Sequence, residues 1–153
     1  MNKSTGFTLI EVLIAVLVLA GGLLGLAGLQ ATSLRNNQSA YNRSQATQLA
    51  YDMADRMRSN VADAELLTGS AYLDAGVQIA GCTTITGCTP AQMAQNDLFE
   101  WNRDIDNALL ASATGTIPDP GSTRIFTIAI TWDDDRDGDV DAADPNFLTS
   151  FQI

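Results

Sequence analysis

The 153-residue chain contains no histidine. That absence removes the commonest general base and the commonest zinc ligand, so most familiar hydrolase and zinc-site chemistries are excluded. Positive charge is also scarce: 8 Lys+Arg stand against 18 Asp+Glu, a formal net charge of -10. Phosphate contacts need clustered Lys and Arg, so nucleic acid is a poor partner. Cysteine is limited to Cys82 and Cys88, too few thiols for a metal site without histidine. Proline is absent before Pro90, so no ring breaks a helix in the N-terminal half. The length suits one domain with a core of modest size.

What is present is unevenly spread. Seven acids and one Arg lie between Asp133 and Asp144, a net of -6, which leaves the rest of the chain at only -4. The apolar residues are concentrated too, in an N-terminal block from Phe7 to Leu29. Within it, Val12 to Leu29 are 18 consecutive residues without a polar side chain, long enough for a membrane-spanning helix. A secretory signal peptide would end in a small-residue cleavage site. Here Gln30-Ala31-Thr32-Ser33 follows instead and helical periodicity continues. A soluble core helix would need one polar face, and this run has none. Lys3 precedes the block, so the first residues stay cytoplasmic and the C-terminal bulk faces the periplasm or the outside.

Glu11 is the one charge in this block. An acid deep in a bilayer costs on the order of 2.5–3.5 kcal/mol and marks a function with a specific partner. No Lys, Arg or His lies within helical reach, so the partner comes from another chain or from a newly made N-terminus.

Gly6-Phe7-Thr8-Leu9-Ile10-Glu11 resembles the type III signal of type IV prepilins: a short basic leader, Gly, then Phe, with Glu four residues beyond Phe. The resemblance implies cleavage between Gly6 and Phe7 by the prepilin peptidase, N-methylation of Phe7 and retention of the apolar helix. The terminal amine created on Phe7 would neutralise Glu11 of a neighbouring subunit, which lowers the burial cost and sets axial register. Gly21, Gly22, Gly25 and Gly28 follow in the same helix, each costing about 1 kcal/mol relative to Ala in a helix interior. They fit either close packing in a membrane or a stretch that loosens when the subunit enters a filament.

From Gln30 to Asn60 there is neither proline nor glycine. Ala46, Leu49, Ala50, Met53, Ala54, Met57 and Val61 recur at helical spacing, and Arg35, Asn36, Asn37, Gln38, Arg43, Gln48 and Asp52 take the other side. The pattern predicts one helix from Phe7 to Arg58, roughly 80 Å at 1.5 Å per residue. The domain organisation read here is a leader at 1–6, a membrane or filament-core half at 7–29, an amphipathic half at 30–60 and a globular head at 61–153. The run Tyr51 to Asn60 resembles PilV-like minor pilins, as do the two Cys followed by Asp97 and Trp101. Arg56 and Arg58 also suit a helix C-terminus through its dipole.

Cys82 and Cys88 are read as a disulfide closing a short Gly- and Thr-rich loop in an exported head, with a model-dependent gain of roughly 2–3 kcal/mol. Thr89-Pro90-Ala91-Gln92 reads as a capping box with Pro at the first helical position, which predicts a second helix from Pro90 to Ser112 with Trp101 as core anchor. Ile117 to Gly121 is a turn cluster. Arg124 to Trp132 alternates like a half-buried strand, Asn146 to Ile153 returns as a second, and Thr114 to Ile117 offers a third. The expected fold class is α+β, the type IV pilin fold: a long N-terminal helix packed against a small antiparallel sheet.

Taking Asp133 as position 1, acids occupy positions 1, 3, 5, 7, 9 and 12, and Gly138 is position 6. This is the spacing of an EF-hand-type calcium loop, with Asp144 in place of the usual Glu. The alternative is a solvated acidic turn. The expected ligands are Asp133, Asp135, Asp137, Asp139 (through its carbonyl) and Asp144, with Ca²⁺ in a structural role.

The family resemblance implies a minor pilin that primes a type IV pilus and contributes to tip adhesion or twitching motility. Its expected partners are the prepilin peptidase, other minor pilins, the major pilin and the inner-membrane assembly platform. The chain would cross the inner membrane once, with a periplasmic head, before reaching the cell surface in a pilus. A minor pseudopilin of a type II secretion system is the alternative, and a DNA-uptake or adhesive pilin ranks lower on charge. No constellation for an enzyme is present. Mass spectrometry of the mature chain should find an N-methylated Phe7 at its start; an intact MNKSTG leader throughout the mature pool would overturn the reading of the signal.

Overall fold

The computed structural model describes residues 6, 8–66, 69–109, 112–135, 137–142 and 144–153. The chain divides into two compact units, Met1–Ala40 and Tyr41–Ile153. Helix α1, Leu9–Ser59, contributes to both. In the first unit every residue from Thr8 to Gln38 is exposed, including the whole apolar stretch. Among the described residues this is the one helix long and apolar enough to cross a membrane.

In the second unit the same helix changes character. Ala46, Ala50, Met53, Ala54 and Met57 are buried at the predicted three- and four-residue spacing, with Leu49 packed against them. Val61 departs from the expected stripe and is 37% exposed. The reason is local: α1 closes at Ser59, the Asn60 N–H bonds the Arg56 and Met57 carbonyls, and a four-residue helix α2, Val61–Ala64, begins a new direction. Its buried side chains are Asp63 and Ala64 instead.

Helix α3 runs Pro90–Leu109, shorter than the expected Ser112, and residues 110 and 111 lie outside the described set. Its N-terminus is the predicted capping box. The Gln92 N–H donates to Thr89 Oγ1 at 3.3 Å, and the Thr89 N–H donates to Gln92 Oε1 at 3.0 Å, satisfying two otherwise orphaned donors. Ala94, Leu98, Trp101, Ile105 and Leu109 form its buried face. Trp101 is fully buried, and its indole N–H donates to the Leu49 carbonyl at 2.9 Å, so the anchor is both packed and polar-satisfied.

Three strands follow: β1 at Thr114–Thr116, β2 at Ile125–Thr131 and β3 at Asn146–Gln152. They form one antiparallel sheet in the order β1-β2-β3. Phe126, Ile128, Ile130 and Trp132 are buried while Thr127, Ala129 and Thr131 are half-exposed, the period-2 alternation the sequence carries. The core therefore lies between the sheet, α3 and the second half of α1. The architecture is α+β, a long N-terminal helix and a three-stranded antiparallel sheet, as the sequence led one to expect.

Gly115 in β1 is a close-approach position. A Cβ there would overlap the Trp101 ring and Ile105 Cδ1. Gly115→Ala should therefore destabilise the head by about 1–3 kcal/mol through overpacking, read as a lowered midpoint in urea with an unchanged slope.

Candidate assembly site and acidic loop

Glu11 sits in the first turn of α1, where its charge is favourable to the helix dipole. The Glu11 and Val12 N–H groups both donate to the Thr8 carbonyl, at 3.1 and 3.4 Å, so the helix begins immediately after the expected cut. Gly6 is exposed, with no atom near the position of a Cβ. Phe7 lies outside the described residues. Among the described residues no ion pair reaches Glu11.

The acidic loop joins β2 to β3. Carboxylate oxygens of Asp133, Asp135 and Asp137 come within 4.8 Å of one another, while Asp139 and Asp144 are outside that cluster. Backbone N–H groups fold the loop onto its own acids. Gly138, at φ +103°, donates to Asp133 Oδ2 at 3.0 Å, Asp137 to Asp135 Oδ1 at 3.1 Å and Asp139 to Asp137 Oδ1 at 3.0 Å. Asp144 closes the loop, its two oxygens accepting from the Asp134 and Asp141 N–H groups at 2.9 Å each. The Asp137 N–H favours the ionised form of Asp135, yet desolvation and repulsion from Asp137, Asp144 and Asp133 leave its carboxyl above the usual range. Three carboxylates held this close, with alternate residues turned inward, are a donor set of the kind hard cations take.

Comparison with protein families finds two adjacent stretches. The prokaryotic N-terminal methylation motif matches residues 1–27, spanning the Gly6–Phe7 junction and Glu11. The family model of the type IV pilin Tt1218 takes over at once and matches residues 28–99. Together the two matches run through residues 1–99 and mark a type IV pilin with a prepilin methylation motif. No curated protein and no solved structure matches it. Membership implies processing by the prepilin peptidase and assembly from the membrane, and pilins are structural rather than enzymatic.

Within the pilin head, Cys82 and Cys88 form a disulfide and no free cysteine remains. A second feature escaped the sequence reading. Arg56, assigned above only to the helix dipole, binds three acids: Asp52 at 2.8 Å, Glu100 at 3.1 Å and Asp97 at 3.3 Å. Asp97 also accepts from the Tyr72 hydroxyl at 2.8 Å, and Asn60 reaches both Tyr72 and the Pro90 carbonyl. This network ties the end of α1 to α3 and to the turn at Ala71–Leu73. Burial alone would lower Arg56, but hydrogen bonds to Asp52 and Glu100 and the charges of Asp52 and Asp97 hold it above its ordinary value. Burial is the main cause that raises the Tyr72 phenol, while Asn60 opposes it and Asp97 adds to it. The only sequence signal was the four-residue spacing of Asp52 and Arg56; the partners on α3 are more than 40 residues away.

The hydrogen bond from Arg56 is the leading cause that holds Glu100 below its ordinary 4.5. A depressed carboxylate contributes stability above its unfolded pKa and loses it as pH falls through the folded value. Head stability should therefore fall on acidification below 4.5. Glu100→Gln should flatten that part of the profile, measured by thermal melting between about pH 6 and pH 3; an unchanged slope would show that Glu100 has no share in it.

Proposed function

We propose that this pilin is a minor subunit of a type IV pilus, of the PilV-like kind. It joins other minor pilins and the major pilin at the inner-membrane platform, primes assembly, and contributes to tip adhesion or twitching motility. The observation that carries the reading is the interlock of the two stretches with PilV-like resemblance. Arg56, from the first, pairs with Asp97 in the second at 3.3 Å, and the Trp101 indole closes the same seam on Leu49.

In this reading the prepilin peptidase cuts between Gly6 and Phe7 on the cytoplasmic side and N-methylates Phe7. The head then stands in the periplasm until assembly. The new amine on Phe7 of one subunit neutralises Glu11 of the next inside the apolar filament core, where an unpaired carboxylate would be costly. Deleting the gene should abolish or sharply reduce surface pili and leave enzyme secretion intact. Lost secretion with normal piliation would assign the chain to a type II secretion pseudopilus instead.

We further propose that the acidic loop binds one Ca²⁺ through Asp133, Asp135, Asp137, the Asp139 carbonyl and Asp144, rigidifying the β2–β3 connection and neutralising its charge. The support is the close approach of the first three carboxylates. Calorimetry on the full chain in detergent should register one calcium site, abolished by Asp133→Asn with Asp137→Asn. Absence of binding at about millimolar calcium, the weak end of such loops, would sink it.

A further inference from the structure

The polar seam between α1 and α3 extends beyond Arg56, as far as the disulfide loop. The stem of that loop, residues 75–79, lies against α3. The Val77 N–H donates to the Gln95 carbonyl at 3.0 Å, and the Ile79 N–H to Asn96 Oδ1 at 3.0 Å. Gly76 comes so close to the helix that a Cβ there would overlap the Leu98 and Phe99 backbone. A single helical turn, Ala80–Thr83, follows, and its Cys82 N–H donates to the Ile79 carbonyl at 3.1 Å. Cys82 is bonded to Cys88, which directly precedes the Thr89 cap of α3. The disulfide thus pins the far end of the stem to the start of the helix on which the stem lies.

Asn96 converts that placement into polarity. It is buried, and its amide has one accepting and one donating end. A backbone N–H can be accepted by the oxygen alone, so Ile79 fixes which end points where. Nδ2 is left facing Glu100 and donates to Oε1 at 3.1 Å. The other oxygen of Glu100, Oε2, accepts from Arg56 Nη1 of α1 at 3.1 Å. One series of hydrogen bonds therefore runs from Ile79 through Asn96 and Glu100 to Arg56, from loop to long helix. With the stem displaced, the Asn96 amide is free to turn its oxygen toward the carboxylate, and attraction becomes repulsion.

The charged groups around Glu100 are Arg56 and Asp52 of α1 and Asp97, Arg103 and Asp104 of α3. Asp52 and Asp97 share Arg56 with it, and Asp104 pairs with Arg103. The stem and loop add none, since no charged residue occurs from Ala75 to Asn96. Their hold on Glu100 is through the Asn96 donor. The Arg56 hydrogen bond is the leading cause that lowers the Glu100 carboxyl; burial opposes it and Asn96 adds to it.

Cys82 and Cys88 are half-buried and Thr83 to Gly87 are exposed, so the bond is open to thiol–disulfide exchange. We propose that closure of the Cys82–Cys88 bond is a redox-sensitive latch. Through Ile79 and Asn96 it sets how firmly Glu100 on α3 holds Arg56 on α1. In the closing step the two thiols become S–S, while the disulfide of an exchange partner takes up their two electrons and two protons and opens to two thiols. A head that has not met such an oxidant lacks the aligned donor at Glu100. The latch rests on the head's own contacts and is independent of the minor-subunit and calcium readings.

The full chain in detergent, with isotope-labelled glutamate, reports both ends of the series by NMR: amide exchange at Ile79 and the carboxyl titration of Glu100. Wild type held reduced with dithiothreitol, and Cys82→Ser with Cys88→Ser, should exchange the Ile79 amide roughly tenfold faster, the worth of one hydrogen bond. Both should move the Glu100 midpoint upward, and re-oxidation of wild type should restore both readings. Asn96→Ala with the disulfide intact should raise the midpoint in the same way. Adding the Ser pair to it should raise it no further, because the route through Asn96 is already cut. Gly76→Ala, which forces the stem off α3 but keeps both cysteines, should also raise it and carries the test if the Ser pair fails to fold. A Glu100 midpoint equal in oxidised and reduced folded chains would overturn the proposal, as would one unmoved in Gly76→Ala. So would additive shifts from Asn96→Ala and the Ser pair.

Discussion

Helix α1 has to satisfy two different surroundings along one continuous hydrogen-bonded ladder, and the rest of the molecule follows from that constraint. Up to Gln38 its residues are exposed, and through Leu29 they are apolar, with Glu11 as the sole charge in the apolar block. Such a surface is stable only against hydrocarbon or against like helices. From Asn42 onward the helix buries small and flexible residues, Ala46, Ala50, Met53, Ala54 and Met57, against its own head. Small side chains and methionines from this stretch share one core with residues of α3 and the sheet.

At the seam between α1 and α3 polar side chains also meet. Arg56, Asp97, Glu100, Tyr72 and Asn60 are brought together where two helix ends and a turn meet, and each polar group there has a partner. Such a cluster specifies how α3 sits on α1 more sharply than apolar packing alone, because removing any member leaves a poorly solvated group unpaired. Trp101 performs the same task by a different route, filling volume with its ring while its N–H fixes the register against Leu49. Arg56 and Asn60 at the end of α1, and Asp97 and Trp101 on α3, are thus residues that join the two helices.

Much of this was legible in advance because it is written in local periodicity. The 3.6-residue recurrence from Ala46 to Met57, the alternation from Phe126 to Trp132 and the Thr89–Gln92 capping box each involve residues close in sequence, and each formed as read. The short loop of two cysteines was legible for the same reason. Val61 was misplaced because continued periodicity cannot reveal that the Asn60 side chain turns away to bind Pro90 and Tyr72. Arg56 was undervalued because two of its acids come from α3, and the helix dipole already offered a sufficient local explanation.

The sequence by itself determined the prepilin signal and the membrane-length apolar helix: a Gly-Phe junction, a glutamate alone in an apolar run, and a length suited to a bilayer. These are properties of composition and spacing, and no folding is needed to express them. Tertiary structure decided which acids converge in the loop, drawing Asp133, Asp135 and Asp137 together while Asp144 accepts backbone N–H groups at its end. It also decided that Arg56 is shared between helices and that Trp101 is buried while Ile85 is left exposed. The physical reason is that carboxylate convergence and side-chain burial depend on contacts distant in sequence, set by the packing of α1, α3 and the sheet rather than by any local pattern.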